Sequence, residues 1–208
     1  MRARLVLAFA AWVAWVPQAA AQGEHERRLA AELTILAGDV RLLDEAALPP
    51  LRMAGLRERI AGALSSLPLL LRRAGGDPGT VPVLRDGWAR SDWRALRAAL
   101  AVLRERHPFD AGALLPTRPT PAQRAVGAAI HREVCAGCHD APAADTKLPA
   151  LDLRAQAKRM PREEFAARLL LGVRGDRSTA YRNPFSDLEL AALVAWYEDA
   201  RPGDAAKK

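Results

Sequence analysis

Leucines and alanines that recur in steps of three and four, with few β-branched residues between them, constrain this chain more than any other feature. From Glu24 to Ala47 the apolar positions Leu29, Leu33, Leu36, Val40 and Leu43 keep the spacing of one helix face. Pro49-Pro50 ends that segment. A second helical pattern runs through Leu51, Leu56, Ile60, Leu64 and Leu67 towards the turn-rich Gly75-Gly76-Asp77-Pro78-Gly79. A third starts near Ser91 and carries Leu96, Leu100 and Leu103 as far as His107-Pro108. Aromatic residues make up only 5% of the chain, so helix is favoured and a β-sandwich or barrel is excluded. The expected fold class is all-α. With 208 residues, half of them apolar, the chain has room for one domain with a helical extension or for two small domains, and it can bury a core. Two cysteines exclude a disulfide-dense scaffold.

The first 22 residues read as an export signal. Arg2 and Arg4 precede an apolar run from Leu5 to Val16, and Ala19-Ala20-Ala21 offers small side chains to a signal peptidase. That run is shorter than the roughly 20 residues a bilayer span needs. An uncleaved anchor is the alternative, and it is the one route to membrane association that the sequence suggests. Either way the expected location is periplasmic or otherwise extracytoplasmic. The formal charge is +7, and it stays positive once Arg2 and Arg4 are removed. The arginines are interspersed with acids instead of massed in a block, which disfavours a nucleic-acid partner and suits docking to acidic proteins.

Residues 23–115 form a helical region without a chemical motif, and charged runs such as Arg57-Glu58-Arg59 read there as solvated surface. Pro116, Pro119 and Pro121 mark a boundary, and residues 116–202 form a second unit followed by a tail at 203–208. Thr120-Pro121-Ala122-Gln123 has a capping-box pattern with proline at the first helical position. The helix it opens leads to Cys135-Ala136-Gly137-Cys138-His139. On a helical turn, residues i, i+3 and i+4 share a face, so both thiols and the imidazole can address one flat ligand. The pattern is that of covalent attachment of one haem c, with thioethers from Cys135 and Cys138 and His139 as proximal iron ligand. A redox dithiol would sit at the end of a strand in a βαβ unit, and zinc would need four ligands; the sequence offers neither setting.

On these residues, 120–200 resemble a class I c-type cytochrome domain, a small all-helical fold around one haem. The family's first helix carries a glycine eight residues before the first cysteine, matched by Gly127, and an aromatic four before it, where this chain has His131. The resemblance implies that the first and last helices cross at that glycine. Ser186-Asp187-Leu188-Glu189 caps a last helix containing Leu190, Leu193 and Val194, with Trp196 as the crossing aromatic. It also implies that the Pro149 carbonyl orients the ring of His139, that Leu151 packs on the haem, and that Phe165, Leu169 and Leu170 form a middle helix ending at Gly172.

The family's distal methionine has no counterpart in Ser178-Thr179-Ala180-Tyr181-Arg182-Asn183-Pro184-Phe185. Tyr181 lies nearest the vacant place, and Met160 is the other candidate; each also has a packing role open to it. His131 precedes Cys135 by one turn and is expected against the last helix, while His25 and His107 lie in the helical region. Two functions follow. With both axial positions filled, the chain would carry single electrons between redox partners bearing acidic docking surfaces, as a free carrier or as a subunit of a complex. With an open or Tyr-ligated site it would be a high-spin haem c enzyme or small-ligand sensor, Tyr181 or Arg182 donating to the bound ligand.

Overall fold

Each leucine stripe folds as a helix, and the stripes face one another. The computed structural model describes residues 22–45, 47–141, 145–172 and 183–199, and every regular element among them is helical. Residues 1–21, all but the last of the expected export signal at 1–22, lie outside the described residues, as do Tyr181, Arg182 and the tail. Four helices build the N-terminal unit: α1 (Glu24–Glu45), α2 (Pro50–Arg73), α3 (Val81–Ala89) and α4 (Trp93–Arg106). Leu29, Leu33, Leu36 and Val40 of α1 meet Ile60, Leu64, Leu67 and Leu71 of α2 and Leu96, Leu100 and Leu103 of α4 in one buried cluster. Burying each such side chain stabilises the unit by about 1.5–3 kcal/mol.

Two local devices make this unit possible. Pro68 lies inside α2 and has no N–H to give the Leu64 carbonyl one turn back. Arg85 of α3 supplies the missing donor, its Nη2 lying 3.2 Å from that oxygen. Between α3 and α4 the chain turns sharply at Ser91, in the left-handed region at φ 54°. Asp92 then caps α4, accepting from the Ala95 N–H at 3.0 Å, so the third predicted helix begins at Trp93. Helix α3 itself was not expected from the sequence.

The C-terminal unit contains α5 (Pro121–Ile130), a π turn over His131–Cys135, α6 (Ala136–His139), α7 (Leu153–Arg159), α8 (Arg162–Leu171) and α9 (Asp187–Asp199). Thr120 and Gln123 complete the predicted capping box at α5. Ser186 and Glu189 do the same at α9, where the Ser186 N–H donates to Glu189 Oε2 at 2.8 Å. Helix α8 ends at Gly172, whose φ of 83° suits glycine. Leu114, Phe165, Leu190, Leu193, Val194 and Tyr197 form the second core. Leu114 belongs to it, so this unit starts before the proline boundary at 116.

The two units share a wall. Ala31 and Ile35 of α1 pack on Ala167 of α8. Beside them, buried Asp39 accepts from Arg59 Nε at 2.6 Å and from Arg168 Nη2 at 2.7 Å. Buried Glu164 accepts from Arg168 at 2.7 Å and from Arg41 at 3.1 Å. Gly38 leaves room for the Glu164 carboxylate, since a Cβ there would lie 2.2 Å from Oε1. Burial pulls the Arg168 guanidinium down, but Asp39 and Glu164 outweigh it and hold it above its ordinary value. Arg59, read from sequence as surface, is thus part of a buried junction. Among the described residues, no helix is long and apolar enough to cross a membrane.

Candidate functional site

The Cys135–His139 motif hangs from a helix pressed against α9. Helices α5 and α9 meet at Gly127, where an added Cβ would lie 2.1 Å from the Ala192 carbonyl oxygen and 2.8 Å from Trp196 Cβ. Only glycine permits this approach. Below the crossing α5 loosens into the π turn, a wider turn that often marks a functional position. It ends at Cys135, and the short α6 then presents Cys138 and His139.

A buried hydrogen-bond chain braces the base of this turn. His131 is 4% exposed and sits edge-on to Tyr197 of α9. Asp140, directly after the motif, accepts from His131 Nε2 at 2.9 Å. Because a carboxylate only accepts, Nε2 carries a hydrogen, while Nδ1 and the Tyr197 hydroxyl share a hydrogen bond of 2.9 Å. Arg154 of α7 donates to the other Asp140 oxygen at 3.4 Å and lies over the Trp196 ring. His131 therefore packs on the last helix, and its bonds to Tyr197 and Asp140 bracket the whole pentapeptide. Asp140 and Tyr197 were not singled out from sequence, although both adjoin residues that were.

The three residues of the motif have distinct surroundings. Cys138 is exposed and Cys135 partly buried, both with free thiols. Burial pushes the Cys135 thiol above its ordinary pKa, against the opposing hydrogen bond from Tyr197. Burial, with Cys135 close by, likewise raises Tyr197 well above the usual phenol range. His139 Nδ1 donates to the Leu151 carbonyl at 2.6 Å. A carbonyl can only accept, so the proton lies on Nδ1 and the lone pair on Nε2.

That bond corrects one expectation. The carbonyl orienting His139 belongs to Leu151, two residues beyond the expected Pro149, whose own carbonyl accepts from Arg52 Nη2 of α2 at 2.7 Å. The cause is the path of the loop, which turns the Pro149 oxygen towards the N-terminal unit. Met160 is the C-cap of α7 and packs, partly buried, against the second core, which is the packing role open to it. His107 abuts Gly76, and His25 is exposed on the first turn of α1.

These residues fit a covalently attached haem. An imidazole whose Nδ1 is held by a carbonyl, and two thiols within one turn, form the donor set such a group needs. Val134, Leu148 and Leu151, in the motif and in the loop bracing it, are 41–48% exposed, an apolar surface suited to a porphyrin. Among the described residues, no three of His, Cys, Asp and Glu come together to hold a bare metal ion. No family model, curated protein or solved structure matches this chain.

Proposed function

We propose that the chain is an exported, periplasmic monohaem c-type cytochrome that passes single electrons between redox partners. The observation that carries this reading is the His139 ring, held at Nδ1 by the Leu151 carbonyl and placed directly after Cys138, on the same short helical stretch as Cys135. When bound, the haem supplies an iron centre that accepts and releases one electron. Cys135 and Cys138 would hold it through thioethers, and His139 Nε2 would be the proximal ligand. The Leu151 carbonyl keeps the imidazole from rotating and raises its basicity. Asp140, His131 and Tyr197 keep the attachment turn seated on α9, so the ligand geometry changes little with oxidation state. The positive formal charge of the chain favours partners with acidic faces, and the docking rate should fall as salt rises.

Intact mass and a pyridine-haemochrome spectrum test the reading on protein exported from a host competent in haem attachment. The expected result is the polypeptide plus one haem through two thioethers; a bare peptide mass would overturn it. A second reading is favoured by one feature, the absence of any methionine after Met160. An open or Tyr181-ligated distal position would make the chain a small-ligand sensor or haem enzyme. A high-spin spectrum that shifts on adding carbon monoxide or cyanide selects that reading; an unresponsive low-spin spectrum selects the carrier.

A further inference from the structure

We propose that Arg52, in the first turn of α2, is a positioning residue for the His139 imidazole, and that the N-terminal unit thereby helps set the proximal side of the site. Among its described residues, the loop carrying the Leu151 carbonyl has few anchors of its own. Residues 145–148 and 150–152 are exposed, and the loop's two ends are the attachment motif and α7. Asp152 fixes the far end, accepting from the Arg154 and Ala155 N–H groups at 2.8 and 3.3 Å. Pro149 has no N–H to donate, so its carbonyl is its one backbone hydrogen-bonding group. That oxygen is held by the Arg52 guanidinium at 2.7 Å, from a residue 97 positions away. A charged donor makes this bond stronger than a neutral one.

The lever is short. Only Ala150 separates Pro149 from Leu151, so a shift at the first is carried into the carbonyl that holds Nδ1 of His139. Arg52 sits on a firm base, because α2 is seated through Leu56 and Ile60 in the first core. The unit with no chemical motif of its own therefore contributes a contact two residues from the proximal ligand's hydrogen-bond partner. Its consequence for an iron centre rests on the proposed function; the positioning of the ring does not.

The test uses the full chain, labelled with nitrogen-15 at histidine, with intact mass recording whether a haem is attached. Solvent exchange of the His139 Nδ1 proton is followed by NMR, in the reduced state where haem is present. Arg52→Ala should speed that exchange roughly tenfold, the scale set by losing one charge-assisted hydrogen bond at a partly exposed site. Arg52→Lys, which keeps a charged donor, should restore part of the protection. Arg57→Ala, the control, removes an arginine of the same helix that lies over Trp93, and should leave exchange unchanged. Wild-type protection in Arg52→Ala, or equal loss in Arg57→Ala, overturns the proposal. A bare peptide mass overturns the haem reading alone, since the ring exchange is still measured.

Discussion

Replacing Gly127 by alanine should be among the most damaging single-methyl additions to this protein. An ideal Cβ there would stand 2.1 Å from the Ala192 oxygen, 2.6 Å from its carbonyl carbon and 2.8 Å from Trp196 Cβ. Two of these atoms are backbone, so no rotamer change relieves the contact. The helices must part by about 1 Å, and a gap of that size forfeits a quarter to a half of each dispersion well across the interface. Leu190, Leu193, Val194 and Tyr197 of α9 are all at most 1% exposed, so the loss spreads over the second core. Overpacking of this kind costs about 1–3 kcal/mol or more, and alanine's better helix propensity returns about 1 kcal/mol of it. We expect a net loss of about 1–2 kcal/mol, a large share of a typical folding stability. Urea unfolding of the full chain measures it, with Gly62→Ala as control. Gly62 has nothing within 4 Å of its added Cβ, so that change should stabilise α2 by up to about 1 kcal/mol. A Gly127→Ala midpoint equal to wild type, with the control behaving as stated, would refute the close-crossing argument.

Arg168→Met should destabilise the chain by about 3 kcal/mol in the same assay, because Asp39 and Glu164 stay buried with one cation fewer between them; a change under about 1 kcal/mol would show that Arg59 and Arg41 suffice. In chain carrying free thiols, iodoacetamide near pH 8 should modify Cys138 before Cys135, which is partly buried with its thiol pKa raised. Tyr197→Phe should slow Cys135 further, since the lost hydrogen bond lowers that pKa; peptide mapping over time reads both, and equal rates would contradict the assignment. Hydrogen bonds from the Ser186 side chain and N–H hold Glu189 below its usual 4.5. Its contribution is therefore complete above pH 4.5 and lost as pH falls through the lowered value. Glu189→Gln should flatten acid-side stability in that window, and an unchanged pH profile by circular dichroism would count against the cap.

What the sequence made legible here is what spacing alone determines. Leu29, Leu33, Leu36 and Val40 are buried because residues three and four apart share a helix face, a rule needing no knowledge of the partner. The caps at Thr120 and Ser186 were readable for the same reason, their partners lying three residues away. Helix α3 was missed because it is nine residues long, with Pro82 at its start and Gly87 within it. Arg59 was misread because its partner, Asp39, lies on another helix, and nothing in Arg57-Glu58-Arg59 reveals which charge turns inward. At the site, the Cys135, Cys138 and His139 set was visible as a local pattern, whereas the choice between the Pro149 and Leu151 carbonyls depends on a loop path. Tyr197 could have been found, since it follows Trp196 on a helix whose neighbouring positions are also apolar. What could not be found was its bond to His131, which joins residues 66 apart.

Helix α8 explains why the motif-free half matters to the other. One side of α8 carries Phe165 and Leu169 into the core shared with α9, and the other carries Glu164 and Arg168 onto α1. A helix with two buried sides cannot shed either neighbour cheaply: removing α1 would uncover Ala167 and leave the Glu164–Arg168 pair without Asp39 and Arg41. The same α9 that α8 supports meets α5 at Gly127 and holds His131 through Tyr197, so force applied at the junction reaches the turn at His131–Cys135 through two helices. Arg52 adds a second route from the same half to His139, through the Pro149–Leu151 loop. The His139 ring is therefore held between two supports, one running through helix packing and one through a single hydrogen bond, and the weaker of these is the one that substitution can remove without unfolding the chain.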